Sequence, residues 1–99
     1  MIHEIAEIDV TPGSEEAFEA AVAAAAPHFR AAKGCRSLKL HRSIEMPSRY
    51  RLVVEWDSVD DHIVSFRESD GFQQWRALAS PHFAAAPRVE HVSKVLDAF

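Results

Sequence analysis

The sequence predicts an α+β fold in which two helical regions cover one face of a four-stranded antiparallel sheet, in the chain order β-α-β-β-α-β. Three observations carry that expectation: four stretches whose apolar residues recur with a period near two, two intervening stretches with helical spacing, and turn or cap residues at the boundaries. The 99 residues suffice for a single domain spanning 1–99 and are too few for two self-sufficient cores, since domains run from roughly 50 to 250 residues.

Residues 2–10 put Ile2, Ala6, Ile8 and Val10 on one side and His3, Ile5, Glu7 and Asp9 on the other, the pattern of a strand. Thr11-Pro12-Gly13 supplies a turn. Ser14 then stands where it can cap a helix whose first turn carries Glu15 and Glu16, both favourable beside the positive dipole end. Phe18, Val22, Ala25 and Phe29 form the inner stripe, Pro27 is expected to kink or divide the helix, and Lys33-Gly34 ends it.

Ser37 to Ile44 alternates again, with Leu38, Leu40 and Ile44 on one face, and Met46-Pro47-Ser48 turns the chain into a third strand. There Tyr50, Leu52, Val54 and Trp56 share one side. Ser58-Val59-Asp60-Asp61 reads as a capping box opening a helix with Val59, His62, Ile63 and Phe66 on one face. Ser69-Asp70 caps a second piece carrying Phe72, Trp75 and Leu78, closed by Pro81. Arg88 to Leu96 alternates as the fourth strand. This is the split βαβ, or ferredoxin-like, order. With Tyr50, Leu52, Val54, Trp56, Val53, Ile5 and Val92 spread over both faces of the sheet, the face away from the helices reads as too apolar to be fully solvated. A homodimer paired through the sheet faces is therefore expected.

Composition narrows the functional classes. With 47% hydrophobic and 26% charged residues, the chain has the balance of a folded globular protein and not of a disordered one. A net charge of -4, with Lys and Arg scattered singly, offers no basic stripe for a phosphate backbone, so no nucleic-acid partner is expected. Cys35 is the only cysteine, which excludes an intrachain disulfide. The longest apolar run, Ala20 to Pro27, is too short to span a bilayer, and the N-terminus reads as a strand and not as a signal peptide. No membrane partner and a cytoplasmic location are expected.

Ala6-Glu7-Ile8 followed by Pro12-Gly13, then Gly34-Cys35, then Glu55-Trp56-Asp57-Ser58, then His62 through Phe66-Arg67-Glu68-Ser69 to Phe72 and Trp75, together resemble the antibiotic biosynthesis monooxygenase family over nearly the whole chain. The resemblance implies the dimeric α+β barrel: a ferredoxin-like subunit whose sheet packs across a dimer, with a ligand pocket between sheet and helices. Its members include cofactor-free oxygenases of polyphenols and quinols, haem-degrading enzymes and an isomerase. Haem degradation in this family uses an Asn, a Trp and a His at positions that fall on Ala6, Phe66 and Arg76 here. None matches, which disfavours that activity.

Among the residues able to do chemistry, His3, His28, His41, His62, His82 and His91 contain no i, i+4 helical pair and have no cysteine cluster, so no metal site is expected. His62 shares the inner face of its helix, where it is either a core-edge imidazole bonded to a carbonyl or a pocket base. His82, just after Pro81, is either an exposed loop residue or a wall of the same pocket. Phe66, Phe72 and Trp75 are either core or an aromatic substrate platform, and Trp56 is core, platform or dimer interface. Arg67 and Arg76 read as surface charges, although an inward Arg76 would imply an anionic or phenolate ligand. There is no Gly-x-Ser-x-Gly elbow, and Gly13, Gly34 and Gly71 make no dinucleotide or phosphate loop, so no cofactor is expected.

The resemblance then implies a cofactor-independent monooxygenase that oxidises a small aromatic with dioxygen. His62 and His82 are the candidate catalytic bases, and Phe66, Phe72, Trp75, Arg76 and Trp56 are the candidate substrate contacts. The alternatives are a non-catalytic small-ligand-binding or accessory dimer of the same fold and, behind it, an isomerase using the same histidines.

Overall fold

The computed structural model describes all 99 residues. The strands are β1 (Ile2–Asp9), β2 (Cys35–Arg42), β3 (Arg49–Trp56) and β4 (Arg88–Val92), and the helices are α1 (Glu15–Arg30) and α2 (Asp70–Ala79), with a π-helical turn at Asp61–Phe66 before α2 and a short 3-10 turn at Ser80–His82 after it. The sheet order is β2-β3-β1-β4, every neighbouring pair antiparallel. The expected ferredoxin-like fold is the one observed.

Burial sorts the two faces. Ala6, Ile8 and Val10 of β1 and Tyr50, Leu52, Val54 and Trp56 of β3 are all buried under the helices, where they meet Phe18, Val22, Ala25 and Phe29 of α1 together with Phe66, Trp75 and Ala79. The aromatic residues close the core through tilted and edge contacts. Phe29 and Phe66 have centroids 4.8 Å apart, Phe29 and Trp75 5.4 Å, and Trp56 and Phe66 5.4 Å, spacings at which the ring quadrupoles attract.

The outer face differs from the sequence expectation. The large apolar residues of β3 lie on its helix side, leaving Ile5, Val53 and Val92 on the other beside a lattice of charges. Glu7 pairs with Arg49, Arg51 and Arg88, and Asp9 with Arg49 and Arg88. These guanidinium contacts hold the Asp9 carboxyl down at about 2.

Several local expectations are also corrected. Pro27 does not divide α1, which runs unbroken to Arg30: its missing N–H removes one bond, and its carbonyl still accepts from the Ala31 N–H at 3.0 Å. The Ser14 hydroxyl makes no cap bond; the Glu15 carboxylate takes the Gly13 N–H instead, at 2.9 Å. Ile44 is exposed beyond the end of β2, and Ile63 is turned outward because the wider π turn brings His62 and Phe66, not Ile63, onto the buried side. The apolar alternation persists to Leu96, but β4 ends at Val92. Val92 lies opposite His3, so β1 has almost no chain left to pair with residues further on. Ser58 and Ser69 do cap as expected, accepting the N–H groups of Asp61 and Phe72.

Gly34 joins α1 to β2 at φ 78, and a Cβ on it would fall on the Asp61 carboxylate at the start of the π turn. Gly13 has a similar left-handed backbone, φ 95, with nothing near the Cβ position. Gly13→Ala is therefore expected to cost about 1 kcal/mol of stability and Gly34→Ala about 3 kcal/mol, the second adding steric overlap to backbone strain. Urea unfolding of the two variants checks this, and equal costs would mean that Asp61 yields freely.

Candidate functional site

Between the inner face of the sheet and the second helical region lies a cavity of about 430 Å³, within the roughly 300–1,000 Å³ range of small-molecule sites. Glu4, Ala6 and Ile8 of β1, Leu52 of β3 and Val89 of β4 come from its sheet side. Phe29 of α1, His62 and Arg67 of the π-helical region, and Phe72, Trp75 and Arg76 of α2 form its walls, and Ser80, Phe83, Ala86 and Pro87 close it from the loop before β4. The lining is mostly apolar, with its polar groups confined to a few positions.

The most unusual group there is Glu4. Its parity in β1 turns it towards the helices among Ala6 and Ile8, and it is only 5% exposed. Trp56, nearly opposite it across the β1–β3 pairing, donates its Nε1–H to Glu4 Oε1 at 3.0 Å. His62 Nε2 lies 3.3 Å from the same oxygen. The other ring nitrogen of His62, Nδ1, lies 2.8 Å from His91 Nε2, and His91 is half-buried on β4 directly across from Glu4. The His62 ring is stacked on Trp56 with centroids 5.4 Å apart, so its orientation is held by packing as well as by the hydrogen bond to His91.

The result is a row Trp56–Glu4–His62–His91 running from the core to the edge of the sheet. Burial pushes the Glu4 carboxyl up to about 7, against the opposing pull of the Trp56 hydrogen bond and the Arg67 charge. Burial likewise pushes His62 down to about 4, helped by the charges of Arg67 and His91. The hydrogen bond between His62 Nδ1 and His91 Nε2 runs in the direction the tautomers set, and His62 Nε2 stands in contact with the Glu4 carboxyl oxygen that Trp56 donates to. A carboxyl poised near neutrality, in contact with a neutral imidazole and facing a cavity, can take a proton from a bound molecule and return it.

The structure gathers some of the sequence-proposed site residues and not others. His62, Phe72, Trp75 and Arg76 line the cavity. His82 does not: its carbonyl is tied to the Thr11 N–H at 2.9 Å at the end of the 3-10 turn, and its neighbours Ser80 and Phe83 face the cavity in its place. Phe66 lies behind the wall, packed against Phe29, Trp56 and Phe72. Trp56 is fully buried on the helix side, away from the outer face, and reaches the cavity only through Glu4. Cys35 is half-buried, and its thiol is raised chiefly by burial, which opposes reactivity. No group of three His, Cys, Asp or Glu side chains is arranged to hold a metal ion; Glu4, His62 and His91 lie in contact in a line. Glu4 and His91 were missed by sequence reasoning, although Glu4 left a signal: a carboxylate at an inward parity of an otherwise apolar strand face.

The family model described as antibiotic biosynthesis monooxygenase matches residues 1–78. The chain is 36% identical over 95 residues to the uncharacterized protein YczJ of Bacillus subtilis, covering 96% of this chain and 100% of that one. A Bordetella bronchiseptica protein solved under the same family name is 56% identical with a TM-score of 0.95, over 96% of this chain and 97% of that one. One from Caulobacter crescentus, also solved under that name, is 25% identical with a TM-score of 0.82, over 96% of this chain and 90% of that one. Rv0793 of Mycobacterium tuberculosis, 22% identical with a TM-score of 0.79 over 99% and 98%, shares the fold.

The row makes a prediction about stability. In the unfolded chain between pH 4.5 and 6.5, the ordinary values of the two groups, the histidine holds a proton and the glutamate does not; in the folded chain the glutamate holds it. The raised Glu4 makes stability fall with rising pH and the depressed His62 makes it rise, so their contributions cancel in that window. Glu4→Gln leaves the His62 contribution alone. The variant's stability, measured against the parent by urea unfolding, is expected to rise by about 2 kcal/mol across the window. A difference independent of pH would show that folding does not move the proton.

Proposed function

The chain belongs to the antibiotic biosynthesis monooxygenase family, and on that premise we propose that it oxidises a small phenol- or quinol-type aromatic with dioxygen in the cavity above β1, with no added cofactor. The observation that carries this reading is the buried Glu4 carboxyl in contact with His62, opening onto a cavity walled by Phe29, Phe72 and Trp75. An electron-rich phenol reduces dioxygen once it is deprotonated, so the protein has to bind the ring, take the proton and exclude bulk water. In the balanced reaction one oxygen atom enters the ring, and the displaced ring hydrogen and the hydroxyl proton leave with the other oxygen atom as water. Glu4 is the group that accepts the hydroxyl proton and gives it back to the peroxide oxygen. Trp56 holds the carboxylate in place and stabilises its charge by donating to it, and His62 packs against the same oxygen.

His62 thus keeps a part in the chemistry beside Glu4, whereas His82 has none. Trp75 and Phe72 face the ring. Arg76 stands at the wall, and Phe66 and Trp56 act from behind by packing and by hydrogen bonding. The functional unit is a homodimer joined through the outer sheet face, a reading supported by Ile5 and Val53 among self-complementary Arg and carboxylate groups, and by exposed Val92. Val53→Asp is expected to convert the dimer to monomer in sedimentation velocity; a parent protein that sediments as a monomer sinks this part of the reading.

Oxygen consumption tests the chemistry. Purified protein with a panel of quinols and polyphenols, without added cofactor, should take up dioxygen above a heat-denatured control. Glu4→Gln should reduce turnover about a hundredfold or more while ligand binding persists. Aromatic binding with no uptake from any member of the panel would replace the oxygenase with a ligand-binding role.

A further inference from the structure

The cavity has a second polar feature that proton transfer does not use. Of the eight arginines in the chain, Arg36, Arg42, Arg49, Arg51 and Arg88 are each paired with a carboxylate. Arg67 and Arg76 line the cavity and make no ion pair with the protein. The Arg76 guanidinium sits over the Phe72 ring, 6.0 Å from its centroid, a contact that restrains a flexible side chain at the cavity wall. Arg67 is close enough for its charge to act on both Glu4 and His62. The remaining unpaired arginine, Arg30, belongs to a separate groove beside Cys35 and Leu38. In a chain with a net charge of -4, two cations with no carboxylate partner at one cavity form a local exception to the overall field.

We infer that the ligand is an aromatic carboxylic acid, its carboxylate held by Arg67 and Arg76 and its ring hydroxyl directed to Glu4. This rests on the cavity being the substrate site proposed above and adds the chemical class of the substrate. Guanidinium groups match a carboxylate in two parallel hydrogen bonds. Arg67 and Arg76 are exposed where they line the cavity, and Phe29, Leu52, Phe72 and Trp75 supply apolar walls for the ring. Such a ligand would also couple its two ends. A carboxylate on Arg67 offsets the positive charge that otherwise draws down the proton affinity of Glu4 and His62, so binding the acid makes Glu4 a stronger base for the hydroxyl at the other end.

Isothermal titration calorimetry with a hydroxynaphthoate and its uncharged carboxamide tests this on the intact protein. The acid is expected to bind about tenfold more tightly than the amide at low salt, with the gap narrowing in molar salt. Arg67→Gln and Arg76→Gln should each remove most of that preference, and Arg30→Gln should leave it unchanged. Equal affinity for acid and amide, or a preference that survives both cavity substitutions, overturns the inference and leaves the aromatic site and its oxygenase chemistry standing. An acid preference in a protein that consumes no oxygen supports the inference and sinks the oxygenase reading. Failure to bind either compound overturns both.

Discussion

The buried Glu4 carboxyl is the constraint around which the site is organised. An ionised carboxylate taken out of water is costly unless it is paired and hydrogen-bonded, and β1 carries this one into the layer between sheet and helices. Three other elements supply what it needs. β3 contributes the Trp56 indole N–H, the π turn contributes His62, and β4 contributes His91, which fills the remaining nitrogen of His62. Every fully buried side-chain nitrogen and oxygen in the structure has a hydrogen-bond partner, so burying this row leaves no such group unsatisfied.

The π turn follows from the same requirement. A regular α-helix at Asp61–Phe66 would put Ile63 on the buried side with His62, as the sequence spacing suggests. The wider turn, in which the Arg67 N–H reaches the His62 carbonyl at 3.2 Å, keeps Asp61, His62 and Phe66 buried and leaves Ile63 outside. His62 is then set over Trp56 and beside Glu4, while Phe66 fills the space between Trp56 and Phe29. The close approach of Asp61 to Gly34 anchors the start of that turn to the end of the first βαβ connection.

Charge is divided between the two sides of the sheet. The outer face holds arginines and carboxylates in mutual contact. The helix side holds one buried carboxyl, a neutral imidazole and two unpaired guanidinium groups around an apolar cavity. The alternation of β1, with Glu4 turned in and Glu7 and Asp9 on opposite parity, separates the two carboxylate roles within six residues of one strand.

By itself the sequence determined the element types, their order and the inward stripes of α1 and β3, because period and cap chemistry are local properties that a chain carries wherever it goes. It also marked His62 as inward and Phe72 and Trp75 as aromatic neighbours. What only the tertiary structure decided was which residues meet. Glu4, His62 and His91 are separated by 58 and 29 positions, and their contact depends on strand register and on the pitch of one irregular turn, neither of which leaves a periodic trace. The same holds for the limits of β4, where the alternation continues but the partner strand does not, and for His82, whose backbone tie to Thr11 withdraws it from the cavity. A pattern of residues specifies a face; contact across faces is set by pairing and packing of the whole chain.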